Sequence, residues 1–267
     1  MTTVESGSNI KGRVSQVRVS SKRKWIEPLK AWRAMRALIA DKEDTSQVFK
    51  VIDALAGDAD DRIYRRFAAT ETGQKVFAEK RDLIATLSDR ERLGRLPKGT
   101  LGREYHDFMA EENLTADGLV EASEVVKERF DREENARIFG DRMRDSHDLW
   151  HVTTGYGRDG LGELAQLAFY YAQTRNRGIG FIVLMGALQG MKEAPKVGVW
   201  KAVREGYRLG KRADWFPAVD WEALLDQPVT EVRKRLGMGD PATYRAIEPI
   251  VSAFTEKALR GEQMKAA

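Results

Sequence analysis

The chain contains no cysteine, and histidine is almost as scarce, with three in 267 residues. Without thiols there is no disulfide framework, no zinc ribbon and no iron–sulfur cluster, so any bound metal must use nitrogen and oxygen ligands. Long apolar runs are also missing. The longest uncharged stretch, Gly178 to Met191, has fourteen residues, against the roughly 20 that a membrane-spanning helix needs. It reads as a buried helix or one that touches lipid. Met1 to Glu5 offers no apolar segment, so no secretory signal is expected. Alternating strand patterns are nearly absent, with a weak one at 12–20, and no repeat is found.

What is present is helical periodicity and unevenly placed charge. Of the net +4, residues 1–40 carry nine Lys or Arg against two Glu, a balance of +7, leaving −3 for the rest. Residues 1–24 read as a basic, disordered tail able to touch anionic lipid or a partner. Residues 25–267 read as one all-α domain. Helices are expected from Pro28, from the Asp44-Thr45-Ser46 cap to Gly57, at 59–69, 73–87 and 100–112, and from Thr115 to Phe130. The second half adds helices at 133–153, 161–175, 178–193 and 196–210. Pro217, Pro228 and Pro241 then divide the remainder into short helices, the last reaching Leu259. The architecture expected is a helical bundle, with a metal site between two helices and an apolar lipid groove.

Two of the three histidines lie in His147-Asp148-Leu149-Trp150-His151. Four residues apart on a helix, His147 and His151 share a face. Asp148 lies about 100° round from one and about 60° from the other, so all three can converge beside the helix. A glycine-rich break, Gly155 to Gly160, then lets Glu163 return on the next helix as a fourth ligand. His-x-x-x-His alone overmatches. Burying two imidazoles and two carboxylates together without a cation is costly, and a divalent metal resolves that cost. A solvent-exposed cluster is the alternative. Position 148 is Asp, so the zincin glutamate base is absent and peptide hydrolysis is disfavoured. Two His plus carboxylate also suits the non-haem iron facial triad, and ligand type admits Zn, Fe, Mn or Co.

Arg158 and Tyr156, in the glycine loop, are the candidate catalytic side chains. Arg158 is placed to hold a substrate carboxylate, or is a surface arginine. Trp150 is expected to pack the core, and His106 to be structural. From Leu164 to Met191 the only charges are Arg175 and Arg177. That stretch is either packed core or a hydrocarbon groove, with Phe169, Gly180, Ile182 and Gly186 as candidate lining. The glycines at 155, 157 and 160 follow no strand, so no flavin or nicotinamide fingerprint is present, and no nucleic-acid partner is expected.

The run His147 to Gly155 followed by Gly162-Glu163 resembles the signature of the Coq-four family of ubiquinone (coenzyme Q) biosynthesis proteins: His-Asp-x-x-His, eleven residues, Glu. Gly102 to Met109 and Glu231 to Gly237 are supporting matches, and the resemblance spans about residues 25–237. It implies an all-helical protein with a divalent metal held by His147, Asp148, His151 and Glu163 beside a hydrophobic channel. It further implies oxidative decarboxylation at ring carbon 1 of a polyprenylated 4-hydroxybenzoate-type precursor, a carboxylate being replaced by a hydroxyl. The implied partners are other ubiquinone biosynthesis enzymes, a membrane surface touched peripherally, and a second copy in a homo-oligomer. The implied place is the inner membrane's cytoplasmic side in bacteria or the mitochondrial matrix face in eukaryotes. The alternative is a non-catalytic lipid-binding scaffold that organises the pathway complex.

Overall fold

A computed structural model describes residues 25–41, 44–111 and 134–253. The expected tail at 1–24 and helix at 115–130 lie outside these residues. Among the described residues there is no strand, only an isolated bridge between Thr100 and Pro228. The helices are α1 (Pro28–Ala40), α2 (Thr45–Ala56), α3 (Ala59–Ala68), α4 (Glu71–Ala78), α5 (Leu83–Leu87), α6 (Arg90–Arg95) and α7 (Leu101–Glu111). They continue as α8 (Glu134–Asp145), α9 (His147–Thr154), α10 (Gly160–Thr174), α11 (Arg177–Glu193), α12 (Val199–Arg212), α13 (Val229–Arg235) and α14 over 242–253.

Side-chain caps set many of the starts by satisfying otherwise orphaned N–H groups. Asp44 accepts from Ser46 N, Thr70 from Gly73 N, and Asp89 from Arg92 N. Two expected helices are broken. The segment at 73–87 splits at Lys80, which adopts φ +49°, while Arg81 turns to pair with Asp220 at 2.9 Å. The segment at 133–153 splits at Ser146, so both histidines sit on the short α9. Buried Arg142, one turn before the break, is held by Glu222 at 2.7 and 2.8 Å and by the Val219 carbonyl at 3.0 Å.

The centre of the bundle is the α10–α12 pair. Gly206 and Gly210 let the backbones meet: a Cβ at 206 would lie 2.3 Å from the Ala165 carbonyl oxygen, and one at 210 only 2.6 Å from that of Phe169. Around this pair runs a continuous core that includes Leu83, Leu101, Trp150, Phe169, Phe216 and Ile247. The start of α7 and the loop before it are stitched to the C-terminal third: Leu101 N donates to Gln227 O, Gly102 N to Leu225 O, and Val229 N to Gly99 O. On one side the α1–α2 hairpin packs on α11 through Ala34, Met35, Val51 and Ile182.

The residues expected to line a groove are packing residues instead. Phe169 is sealed among Trp150 and Phe216, with ring centroids 6.1 and 4.8 Å away. Ile182 is buried against α1 and α2. A Cβ on Gly180 would meet the Tyr171 ring at 2.8 Å, and one on Gly186 the Leu164 side chain at 2.8 Å. These glycines serve close helix approach, and the four positions face different partners rather than one channel. The uncharged run packs inward on one side, with Ile179, Ile182, Val183 and Ala187 buried, while Leu184 and Leu188 are exposed on the other. No described helix is long and apolar enough to cross a membrane.

Candidate metal centre

The centre is built where α9 ends and α10 begins. Gly155, at φ +79°, closes α9 by donating its N–H to the His151 carbonyl. Asp159 then starts α10, accepting from both Leu161 N and Gly162 N at 3.0 Å. This turn returns Glu163 to the histidines. One ligand atom from each of His147, His151 and Glu163 lies within 4.8 Å of the other two. The two Nε2 atoms are 3.2 Å apart, and His151 Nε2 is 3.5 Å from Glu163 Oε2.

The second nitrogen of His151 fixes its role. Nδ1 lies 3.0 Å from the Tyr156 carbonyl oxygen. A carbonyl only accepts, so Nδ1 carries the proton, and in the neutral ring Nε2 presents a lone pair to the cluster. Glu163 is also acceptor-only when ionised. His151 Nε2 and the Glu163 carboxylate are thus two acceptors facing each other, and a proton or a metal between them resolves the conflict. Burial opposes charge on His151, but the Glu163 hydrogen bond and charge and the Tyr156 carbonyl outweigh it, raising its pKa above the ordinary histidine value. Burial and the neighbouring His151 lower that of His147. Burial opposes ionisation of Glu163, yet His151, His147 and Arg158 hold its pKa below the usual carboxylate range. A lone-pair imidazole and an ionised carboxylate are the forms a divalent cation binds.

The cluster is a cup with a dry floor and an open rim. His151 is buried, whereas His147 is partly exposed and the Glu163 and Arg158 side chains are about one third exposed, at 33 and 32%. Such an arrangement leaves room for a ligand from the solvent side. The donor set suits Zn, Fe, Mn or Co equally.

Asp148 is not in the three-residue group. Its charge acts on both imidazoles and, second to burial, contributes to raising the Tyr105 pKa. It is buried, and its Oδ2 has no hydrogen-bond partner. An orphaned buried carboxylate oxygen beside two imidazoles fits a cation centre and has no purpose in an apolar core. Arg158 is at the cluster, with Nε 3.6 Å from Glu163 Oε1. Tyr156 reaches the site only through its carbonyl, because its ring is buried against Tyr244 at 5.3 Å. It is therefore a positioning residue, and its hydroxyl is not offered to a substrate at the cup.

Several contributors escape sequence reasoning. Phe108 on α7 lies parallel to His151, centroids 6.0 Å apart, giving the cup an aromatic wall. The supporting match at Gly102 to Met109 was the only signal for it. Thr154 donates to buried Gln166 at 2.8 Å, tying α9 to α10 one turn beyond Glu163. Arg233 of α13 donates to the Thr154 carbonyl at 3.1 Å. The Tyr244 hydroxyl on α14 accepts from Gly157 N at 3.0 Å and donates to Asp159. Tyr244 thus clamps the loop between the two ligand-bearing helices. Tyr244→Phe is expected to cost about 1 kcal/mol in stability and to weaken metal binding by about tenfold, the scale seen for supporting partners of ligands. Competitive titration against a chelator checks this, and unchanged affinity would show that the clamp does not hold the centre. His106, in contrast, is a structural histidine, with Nδ1 2.8 Å from Asp107.

Below the cluster, Asp145 is buried and its pKa is pushed up to about 6, burial outweighing the hydrogen bond from Arg144. A carboxyl whose folded pKa is raised stabilises the fold most below its ordinary value of 3.8, and that contribution is lost as pH rises through about 6. In metal-free protein Asp145→Asn should therefore gain on the wild type between pH 4.5 and 7.5, by about 2 kcal/mol. Urea midpoints at the two pH values measure it, and parallel profiles would remove this assignment.

A family model described as coenzyme Q (ubiquinone) biosynthesis protein Coq4 matches residues 18–242, which include the whole cup. The chain belongs to the Coq4 family. Its relatives include the mitochondrial ubiquinone biosynthesis protein COQ4 of Podospora anserina, 29% identical over 69% of this chain and 59% of that protein. The Danio rerio homolog is 30% identical over 63% of this chain and 60% of its own length. The chain thus spans about three fifths of the curated Coq4 relatives it matches. A crystal structure of a Nostoc punctiforme PCC 73102 protein, named for ubiquinone biosynthesis, superposes with TM-score 0.56 and 23% identity, covering 80% of this chain and 99% of that one. At that identity it supports the fold alone.

Proposed function

We propose that this chain acts in ubiquinone biosynthesis on a polyprenylated ring precursor bearing a carboxylate, at a divalent metal held by His147, His151 and Glu163, with Asp148 completing the set. The observation that carries the reading is the convergence of His147 Nε2, the His151 Nε2 lone pair and the Glu163 carboxylate in a cup that is open on one side. Membership of the Coq4 family supplies the pathway. The residues present then suggest the chemistry.

The substrate carboxylate matches the Arg158 guanidinium on the rim, which is positioned for a charge-assisted hydrogen bond. Phe108 offers a flat apolar face to an aromatic ring. The Tyr156 carbonyl holds His151 in one tautomer, so no ligand atom must reorganise when substrate arrives. When bound, the metal supplies Lewis acidity and a template for the carboxylate. In the reaction proposed, the ring-to-carboxylate bond breaks with release of carbon dioxide and leaves its electron pair on the ring, one oxygen atom of dioxygen forms the new ring–oxygen bond, and the other leaves as water, taking two protons and two electrons from an external two-electron reductant. A hydroxyl para to the carboxylate supplies the electron density that expels carbon dioxide. The protein acts peripherally at a membrane, where a prenylated substrate and the other pathway enzymes are found.

The test is complementation. Cells lacking their own Coq4 protein and given this chain should form ubiquinone, and the Arg158→Leu variant should accumulate a prenylated ring that keeps its carboxylate, read by mass spectrometry. Full ubiquinone formation by variants that hold no metal would favour the scaffold role and end the enzymatic reading.

A further inference from the structure

The side of α1 away from the bundle is apolar and cationic together. Ala31, Ala34 and Met35 face α2 and α11. On the other side Leu29, Trp32 and Ile39 stay 73, 48 and 38% exposed. At 100° per residue these three fall within an arc of about 80°. Arg36 lies inside that arc, and Arg33 and Lys30 flank one edge. The helix contains no acidic residue; Glu27, just before it, lies 3.5 Å from Lys30. Six Lys or Arg and a single Glu occupy the 24 residues that precede this region.

The geometry points to this face as the docking surface for an anionic lipid bilayer, α1 lying in the plane of the headgroups. Leu29, Trp32 and Ile39 enter the boundary with the acyl chains, Trp being suited to that depth. Arg36 reaches out of the apolar stripe to lipid phosphate, as long cationic side chains do at membrane edges. Arg33 and Lys30 meet the negative surface potential. A second copy is a poorer occupant, because a two-fold contact would set the same three cations against each other. The inference does not depend on the metal centre, and its test needs neither metal nor substrate.

The experiment is vesicle co-sedimentation of the full chain, with phosphatidylcholine alone or with about a third of it replaced by phosphatidylglycerol. The wild type should bind the anionic vesicles at least tenfold better, and moderate salt should weaken the binding. Leu29→Glu with Trp32→Glu, and separately Lys30→Ala with Arg33→Ala and Arg36→Ala, should each reduce it at least tenfold. Since the chain has no cysteine, Leu29→Cys and Asp226→Cys, each carrying an environment-sensitive dye, give a readout on a barely altered fold. Anionic vesicles should blue-shift the dye at 29 and leave the dye at 226 unchanged. Wild-type binding by either charge or apolar variant, equal shifts at both dyes, or a change of oligomeric state in the Leu29/Trp32 variant would overturn the proposal, the last by assigning the face to a protein contact.

Discussion

Glu163→Ala and His147→Ala should each abolish ubiquinone formation in complemented cells while leaving the metal-free protein folded. Both side chains sit on the rim of the cup and are partly exposed, so their loss removes little packing. Metal-free stability should change by about 1 kcal/mol or less, the usual range for partly exposed positions. Metal affinity should fall by more than about 100-fold, since losing an outer partner alone costs about 10 to 100-fold. Linkage makes this visible in a melt. At metal concentrations about 1,000 times the dissociation constant the wild type gains about 4 kcal/mol, and the variants should gain almost none. His151→Ala should lose metal as completely and also lower metal-free stability, because His151 is buried and bonded to the Tyr156 carbonyl. Full ubiquinone formation by either rim variant would move the reaction elsewhere.

Gly206→Leu should be the most damaging single substitution outside the centre, at about 3 kcal/mol or more, the upper end for overpacking. The obstacle is the Ala165 carbonyl oxygen, 2.3 Å from the new Cβ, and a helix backbone has no rotamer by which to retreat. Separating α10 from α12 would also displace the helix that presents Glu163. Gly180→Leu tests the opposite case. Its Cβ meets only the ring of Tyr171, which is partly exposed. That ring can turn, so the cost should be about 1–2 kcal/mol. Thermal melts of the two variants compare the costs directly. A normal melt for Gly206→Leu would contradict the close α10–α12 approach.

The parts of this fold legible in the sequence are those fixed by local chemistry. The i, i+4 histidines, the glycine-rich break and Glu163 lie within 17 residues, and the turn they encode brings Glu163 back to the imidazoles. The helix starts at Pro28 and at the Asp44 cap are readable for the same reason. Features set by tertiary partners were not. No proline or glycine marks the break at Ser146, which follows Arg142 as it is drawn to Glu222 and Val219. Tyr156 acts through its carbonyl, a group every residue carries, so its identity suggested a hydroxyl role that the fold does not use. Phe108 meets His151 only because α7 packs beside α9. Glycines at 180 and 186 within an apolar helix fit either room for a lipid or close packing, and only the positions of Tyr171 and Leu164 decide between them. For Asp148, spacing gives a direction about 100° from His147, and the structure shows the consequence: a buried oxygen without a partner, outside the three-residue group.

Whether His147, His151 and Glu163 together hold a divalent metal is read most directly by X-ray absorption on the full chain reconstituted with one equivalent of zinc. The zinc should have nitrogen and oxygen neighbours at about 2.0–2.2 Å, with scattering from two imidazoles beyond them that weakens by at least half in His151→Ala. A spectrum with no imidazole scattering, or one unchanged in the His151→Ala protein, would contradict the three-residue centre.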